Sequence, residues 1–237
     1  MKTVAQIVTD GAKEFGIDLP LGAGASFETY CSILVKRAND FNLTAITQAE
    51  DIARLHFLDS LALLLSADYK NKHIIDVGSG AGFPGVPIKI AQPSVNLTLL
   101  DATGKRVAFL SELCVALGID AQYIHARAEE WARIEENRER FDIALSRAVA
   151  QLNILSELSL PFVKVGGVFL AMKGVNSAHE IEQAQRAISL LGAKLENTLD
   201  YMIPETDIVH RTVIIRKTSP TPTEYPRKFA KILKNPI

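Results

Sequence analysis

The stretch HIIDVGSGAGFPG, residues 73–85, decides the fold of this chain. Ile74, Ile75 and Val77 form a short, β-branched apolar run that is typical of a buried parallel strand. Three glycines at alternate positions follow, and they permit a sharp turn and a close approach of the backbone to a ligand. Apolar residues after position 85 predict a helix whose first N–H groups would be unpaired and face that ligand. This order predicts a nucleotide-type site in a doubly wound α/β sheet.

The glycine spacing indicates which nucleotide would bind. A dinucleotide fingerprint G-x-G-x-x-G beginning at Gly78 and Gly80 would require glycine at position 83, where this chain has Phe83. The pattern is instead D-x-G-x-G-x-G, with Asp76 at the strand tip. A carboxylate there suits a cationic ligand that lacks phosphates. S-adenosylmethionine (SAM) carries an ammonium and a sulfonium, and the loop is similar to the first motif of SAM-dependent methyltransferases. A glycine-rich turn without a ligand is the alternative interpretation.

Composition favours a globular protein with a large core. The 237 residues are 48% hydrophobic and 22% charged, with a net charge of −1, which argues against affinity of the whole surface for nucleic acid but allows a local basic face. No apolar run approaches the roughly 18 residues that span a bilayer, and the N-terminus does not read as a signal peptide. Two distant cysteines without a C-x-x-C motif indicate free thiols. We expect a cytoplasmic monomer without membrane association or a metal site.

Three regions follow from the periodicity. Residues 1–72 have helical spacing and no strand signal, which predicts an N-terminal helical cap packed on the main domain. Residues 73–217 alternate strands with helices and end in a predicted hairpin, as a doubly wound, mostly parallel seven-stranded sheet would. Residues 218–237 form a basic tail. The predicted strands are 74–77, 96–101, 121–125, 141–147, 168–174, 194–199 and 212–216.

Polar residues at the strand tips are candidate ligand contacts. Asp101 ends the second strand, where a carboxylate accepts hydrogen bonds from both ribose hydroxyls, although a surface aspartate is the alternative. Ala128 and Glu129 follow the third strand and could border an adenine ring. Arg147 ends the fourth strand, beside the first in a doubly wound sheet and therefore over the crevice.

Two further constellations have competing interpretations. Residues 217–237 carry five basic residues against one acidic residue, and Tyr225 and Phe229 are interleaved with them, which resembles a stacking and phosphate-binding surface for RNA. A solvated extension is the alternative. Separately, His56, Asp59 and Ser60 share one helical face. A nucleophilic relay among those three is disfavoured because a single helix cannot easily aim all three groups. The candidate RNA-binding residues are Arg227, Lys228, Lys231 and Lys234.

Eight motifs together carry a family resemblance. They are NLTAIT at 42–47, HFLDSL at 56–61, DVGSGAGFPGVPIKIAQP at 76–93, LLDATGKRVAFL at 99–110, HARAEEW at 125–131, SRAVAQL at 146–152, PFVKVGG at 161–167 and MKG at 172–174. With these motifs the sequence resembles the bacterial small-subunit rRNA guanine-N7 methyltransferases, the GidB/RsmG family. Tyr225-Pro226-Arg227-Lys228 also matches, whereas the residues after Lys228 depart from the family pattern.

The resemblance implies a class I, Rossmann-like methyltransferase fold, SAM as cofactor, and 16S rRNA or the small ribosomal subunit as partner. It also implies a role for each site residue. Asp76, Gly78, Gly80 and Phe83 would form the loop and flank the methionine part of SAM, Asp101, Ala102 and Thr103 would meet the ribose, and Ala128 and Glu129 would lie at the adenine. Arg147 would be a further cofactor-binding residue and the catalytic residue at the mouth, facing the guanine.

The chemistry of guanine N7 fits this pattern. N7 has an in-plane lone pair and no proton at neutral pH, so methyl transfer to it needs no general base, and the sequence offers no obvious base. Two alternatives remain from the residues alone. One is a non-catalytic RNA-binding module, which the tail suggests. The other is a nicotinamide-dependent oxidoreductase that uses the same glycine loop, which Phe83 disfavours.

Overall fold

The computed structural model describes residues 2–41, 43–147 and 150–237; Asn42, Ala148 and Val149 of the family motifs therefore lie outside the described residues. A single seven-stranded sheet forms the centre of the fold. Its strands are β1 (His73–Val77), β2 (Asn96–Asp101), β3 (Ala121–His125), β4 (Phe141–Arg147), β5 (Val163–Gly174), β6 (Ala193–Met202) and β7 (Val209–Lys217). Their spatial order is β3-β2-β1-β4-β5-β7-β6, and only β7 runs antiparallel to its neighbours. The predicted doubly wound sheet with a terminal hairpin is confirmed.

Helices precede, separate and follow these strands. They are α1 (Val4–Glu14), α2 (Ala23–Phe41), α3 (Ala49–Ile52), α4 (Asp59–Leu61), α5 (Gly85–Ala91), α6 (Gly104–Leu117), α7 (Ala128–Trp131), α8 (Leu152–Ser159), α9 (Ala178–Leu190) and α10 (Phe229–Lys234). A π-helical segment, Ala53–Leu58, joins α3 to α4 without a break, and the 3-10 turn Ala62–Leu65 continues the run. In the described part of the chain, no helix combines the length and apolarity needed to cross a bilayer.

The central strands are apolar along nearly their whole length because helices cover both faces of the sheet. On one face, helices α1, α2, α5 and α6 share a core with β1 and β2 that includes Phe27, Tyr30 and Phe57. On the other face, α8 and α9 pack on the sheet around Phe162 and Phe169. The helices before β1, which were predicted as a cap, thus share one hydrophobic core with this face of the sheet.

The strand order creates a crevice at the carboxyl ends of the central strands. β1 pairs with β2 on one side and with β4 on the other, both parallel, so the chain leaves β1 and β4 in opposite directions. The loops that follow these two strands therefore separate, and ligands of such sheets bind between them. This topology brings the glycine loop after β1, Asp101 at the end of β2 and Arg147 at the end of β4 to one edge.

The segment after β7 is folded back against the domain. Arg138 donates hydrogen bonds to the main-chain carbonyls of Thr221, Pro222 and Tyr225 at 2.7–3.0 Å. Ile232 of α10 is fully buried against α8. Residues 218–237, the predicted basic tail, are therefore packed on the domain.

Candidate active site

Two adjoining cavities open at the crevice. The larger, of about 390 Å³, is lined by the glycine loop, residues 101–103, His56 and Arg147. The smaller, of about 130 Å³, lies beside it and shares Gly78, Asp101 and Ala102 with it. The volume of the larger cavity falls within the range of small-molecule sites, roughly 300–1,000 Å³. Together the cavities form one cleft with a wide and a narrow part.

The glycines shape the wall of the larger cavity. Gly78, Gly80 and Gly82 have φ angles of 77°, 57° and 99°, a region in which side chains are strained. A Cβ on Gly80 would approach only the Gly78 carbonyl oxygen, at 3.9 Å, so this residue borders open space. A Cβ on Gly82 would lie 2.6 Å from the Tyr30 hydroxyl, so that glycine is required by packing inside the fold.

The loop N–H groups are largely used within the protein. Gly78 and Ser79 both donate to the Leu100 carbonyl, at 2.8 and 3.1 Å, and Gly80 donates to Asp101 Oδ2 at 2.9 Å. At the start of α5, Gly85 N–H donates to Asp76 Oδ2 and Val86 N–H donates to the Gly82 carbonyl, so the expectation that the first helical N–H groups are unpaired is wrong for these two residues. A loop whose donors are already engaged offers shape rather than a phosphate cradle. Such a loop fits a ligand without phosphates, as SAM is.

Asp76 lies elsewhere than the sequence suggested. Its side chain is completely buried under the loop, where Oδ2 accepts a hydrogen bond from the Gly85 N–H at 2.9 Å, and it lines neither cavity. Burial raises the pKa of this carboxyl to about 7. The carboxyl therefore braces the start of α5 from below, because its side chain points from β1 toward that helix and away from the cleft.

Asp101 joins the two parts of the cleft. Its side chain is 4% exposed, and its oxygens accept hydrogen bonds from the Thr103 N–H at 2.8 Å and the Gly80 N–H at 2.9 Å. Each carboxylate oxygen has two acceptor positions, so capacity remains for ribose hydroxyls. Ala102 lines both cavities and Thr103 lines the larger one. The predicted ribose residues are thus brought together with the loop.

The smaller cavity is predominantly apolar. The predicted residues Ala128 and Glu129 line it, and burial raises the pKa of the Glu129 carboxyl. Leu158 of α8 and Phe229 of α10 complete the wall, and the sequence did not indicate either of them as a cofactor contact. Phe229 was expected on an RNA surface, but it faces this cavity. Tyr225 likewise packs against the core on the α8 and α9 face of the sheet, so it does not form an open stacking platform.

Arg147 is held at the mouth of the larger cavity. Nη1 donates to the Leu55 carbonyl at 3.3 Å and to Asp59 Oδ2 at 3.2 Å, and Nη2 donates to His56 Nδ1 at 3.2 Å. The guanidinium carbon lies 4.7 Å from the centroid of the Phe83 ring. Leu55 and His56 belong to the π-helical segment, a feature that is frequent at functional sites. These contacts use three of the five N–H donors of the guanidinium.

Asp59 anchors this arrangement from beneath. Its buried carboxylate also accepts hydrogen bonds from the Tyr201 hydroxyl at 2.8 Å and from His210 Nδ1 at 2.7 Å. The bond to Asp59 raises the pKa of His210. Ser60 donates to the main-chain carbonyl of His56, so these residues do not form a nucleophilic relay. Asp59 therefore connects the cap, the tip of β4 and the hairpin β6–β7.

His56 is a neutral imidazole at physiological pH. Burial, and secondarily the charge of Arg147, lower its pKa from 6.5 to about 4. Nδ1 lies 3.2 Å from Arg147 Nη2 and 3.1 Å from the Leu55 carbonyl oxygen, and Nε2 lies 2.8 Å from Thr44 Oγ1. Because a guanidinium only donates, the contact with Arg147 favours the tautomer in which Nδ1 accepts and Nε2 carries the proton. The ring also packs on Phe83, with centroids 4.6 Å apart.

His56→Gln is expected to reduce the acid sensitivity of the fold. Unfolded chains bind a proton at an ordinary histidine pKa, whereas folded His56 binds one only near pH 4, so the wild-type protein loses stability as the pH falls from about 6.5 to 4. The loss amounts to up to about 3 kcal/mol at roughly 1.4 kcal/mol per pKa unit. Urea unfolding at pH 7.5, 5.5 and 4 measures the difference between the two proteins. His179→Gln, at a histidine side chain that is 80% exposed, is the control and should keep the wild-type slope.

The predicted RNA-binding residues divide into two groups. Arg227 pairs with Glu157, with Nη2 2.6 Å from Oε2, and the two side chains are 13% and 1% exposed, so this arginine is committed to a contact within the protein. Lys228, Lys231 and Lys234 are exposed on or beside α10. Only these three remain available for phosphate contacts.

Comparison with known proteins places this cleft in a family context. Residues 24–209 match the family model GidB, rRNA small subunit methyltransferase G. Proteins named ribosomal RNA small subunit methyltransferase G from Alkaliphilus metalliredigens and Thermoanaerobacter pseudethanolicus are 45% and 44% identical, and each alignment covers 98% of both chains.

Similarity to solved structures supports the fold. A ribosomal protein L11 methylase from Lactobacillus delbrueckii subsp. bulgaricus superposes with a TM-score of 0.51 at 15% identity, covering 70% of this chain and 79% of that one. TrmN from Thermus thermophilus superposes with a TM-score of 0.51 at 17% identity, covering 68% and 48%. The predictions of the family, of a Rossmann-like methyltransferase fold and of SAM as cofactor are confirmed. The chain belongs to the GidB family, rRNA small subunit methyltransferase G.

Proposed function

We propose that the chain transfers the methyl group of SAM to N7 of a guanine in 16S rRNA. The observation that carries the proposal is Arg147, held at the mouth of a SAM-sized cleft beside the glycine loop. SAM supplies an electrophilic methyl group on a sulfonium. Within the cleft, the loop would border the methionine part, Asp101 would accept from the ribose hydroxyls, and Ala128 and Glu129 would border the adenine.

The cleft suits an acceptor that needs no deprotonation. Among the described residues that line the larger cavity, His56 is the only imidazole, and its pKa of about 4 and its bonds to Arg147 and Thr44 leave it a poor proton acceptor for substrate. Asp101 is occupied with backbone N–H groups. Guanine N7 attacks with a free lone pair, so orientation toward the methyl group is the main task of the protein.

Arg147 has the remaining donors for that orientation. One N–H on Nε and one on Nη2 are not used by its contacts with Leu55, Asp59 and His56. Guanine presents O6 beside N7, and an N–H donor on O6 fixes the base while N7 stays free to react. The methylated base is a cation. Its charge is tolerated because Asp59 offsets the guanidinium and His56 is neutral.

Cations beside the cleft support a nucleic acid substrate. Arg106 lines the larger cavity and Arg127 the smaller one, and three exposed lysines lie on or next to α10, on a chain whose net charge is only −1. Single-stranded RNA with splayed bases suits such a cleft, since its bases are accessible at their edges. Free thiols at both cysteines support a reducing, cytoplasmic setting.

Transfer of labelled methyl from SAM to unmodified small subunits and to naked 16S rRNA tests the proposal. The expected result is one methyl group per rRNA, with the label on a guanine and chain cleavage after borohydride and aniline treatment, which is diagnostic of an N7-methylated purine. No incorporation by folded, SAM-binding protein, or label on another atom, would overturn it. Comparison of the two substrates also shows whether the assembled subunit is required.

Replacing Lys228, Lys231 and Lys234 together by alanine is expected to weaken RNA binding in a salt-dependent way. Each phosphate contact to single-stranded RNA contributes about 0.7 to the slope of log K against log salt, so the slope should fall by about 2. Affinity for SAM should stay within twofold, because these side chains point to solvent. The matched control replaces exposed Lys13, Lys70 and Lys194, outside the cleft; an equal drop in both triple variants would contradict a specific contact.

A further inference from the structure

The C-terminal segment forms part of the wall of the cofactor cleft. Phe229, the first residue of α10, lines the smaller cavity together with Ala128 and Glu129. Leu158 of α8 lies beside it, and the Arg127 guanidinium carbon is 5.4 Å from the centroid of the Phe229 ring. An aromatic ring thus closes a slot that the sheet and α7 leave open on one side.

A buried ion pair fixes the start of this helix. Arg227 Nε and Nη2 donate to both oxygens of Glu157 at 2.6–3.2 Å, and the Arg227 main-chain N–H donates to Glu157 Oε1 at 2.8 Å. Arg227 Nη1 also reaches the Asn235 carbonyl at 3.0 Å, which ties the two ends of α10 together. A two-pronged pair of this kind sets direction as well as distance. It therefore determines where Phe229, two residues later, is placed.

Apolar packing secures the same helix along its inner face. Ile232, three residues after Phe229 and so on the same side of α10, is fully buried with Ile154 and Leu158 of α8. Lys231 and Lys234 are exposed, and Leu233, which is 52% exposed, lines neither cavity. The ion pair and the apolar packing thus hold α10 in a fixed position, and both lie next to the smaller cavity.

We propose that Phe229 is a binding residue for the adenine of SAM and that Arg227, through Glu157, is its positioning residue. This inference rests on the proposed function. The cavity continues into the one that holds Asp101, so a ribose at Asp101 directs its base into the slot. Glu129 offers a carboxylate acceptor there for the exocyclic amine. A base of the RNA would have to enter past the cofactor, and an adenine is therefore the occupant that the geometry favours.

Equilibrium binding of SAM, S-adenosylhomocysteine and methylthioadenosine to Phe229→Ala tests the assignment. Stacking of a base on an aromatic side chain is worth about 1–3 kcal/mol, so all three ligands should lose about 5- to 150-fold in affinity. Methylthioadenosine, which lacks the amino-acid part, should lose as much as SAM does. Phe229→Tyr should retain affinity within about threefold, since it keeps the ring. The matched control, Leu233→Ala, changes an exposed side chain of α10 that lines neither cavity, and it should bind like the wild type.

A double-variant comparison tests the positioning role. Arg227→Lys keeps the charge opposite Glu157 but loses the two-pronged contact, and it should weaken SAM binding by a smaller factor. In the Phe229→Ala background the same change should have no further effect, because Arg227 acts through the ring; additive losses would overturn the positioning role. Wild-type affinity of Phe229→Ala would overturn the adenine assignment while leaving the proposed function intact. Failure of the wild-type protein itself to bind SAM would instead overturn the proposed function.

Discussion

We expect Gly78→Asp to abolish SAM binding. Gly78 borders both cavities, at the point where the methionine and nucleoside parts of the cofactor would meet. Its φ of 77° strains any side chain, by roughly 1–2 kcal/mol, and a carboxylate would enter the cleft beside Asp101. We expect the Kd for SAM to rise by at least about 100-fold, the equivalent of roughly 2.7 kcal/mol, with no detectable methyl transfer. Calorimetry of SAM binding measures it.

A second glycine separates this effect from loss of folding. Gly118, which ends α6, has a φ of 63°, and a Cβ there would meet no atom within 4 Å. Gly118→Asp therefore carries a similar backbone strain at a surface outside the cleft. Both variants should lower the melting temperature by a similar amount, whereas only Gly78→Asp should lose SAM. Binding by Gly78→Asp within threefold of the wild type would contradict the assignment of the loop to the cofactor.

Arg147→Gln is expected to lower kcat by about 5- to 150-fold, since a guanidinium contact to guanine is worth about 1–3 kcal/mol. The reason is loss of the donors that orient O6 while N7 approaches the methyl group. The affinity for SAM should change by less than about fivefold, because the cofactor contacts lie mainly on the loop and Asp101. Asp59 keeps its bonds to Tyr201 and His210 in this variant, which limits the cost of leaving it without the guanidinium. Single-turnover methyl transfer with saturating RNA measures the rate.

Two companion variants make this result specific. Arg147→Lys keeps the positive charge but not the fork, and it should remain impaired if orientation is the role of the residue. Arg211→Gln removes an arginine from β7 that pairs with Asp200 outside the cleft, and it should leave kcat unchanged. Full activity in Arg147→Gln would show that the arginine does not orient the base, even if the protein methylates guanine N7.

The fold was largely predictable because its central strands are nearly continuous apolar runs. The bounds predicted for β2, β3 and β4 coincide with those observed. A strand between two helical layers needs no alternation, and this makes it easy to recognise in a sequence. β5 begins at Val163, before the predicted start, because the polar and glycine-containing residues 163–167 read as a turn although Val163 already pairs with Phe141.

Local pattern was less informative about the cleft. Asp101 and Arg147 were found because strand tips converge at one edge of a sheet. Asp76 was misplaced because sequence does not show which side of the strand faces the cleft. Tyr201 and His210 reach Asp59 across more than half of the chain, and Phe229 reaches Ala128 through the docking of α10. Contacts of that kind depend on tertiary packing, for which the sequence carries no periodic signal.

The position of α10 has a thermodynamic consequence. If the inner side of α10 contacts the nucleoside of SAM and its lysines contact RNA phosphates, SAM and RNA bind to the same short helix. Reciprocity then requires that RNA change the affinity for SAM by the same factor by which SAM changes the affinity for RNA. Occupancy of the cofactor cleft and occupancy of the RNA surface would then be coupled equilibria, joined through this one helix.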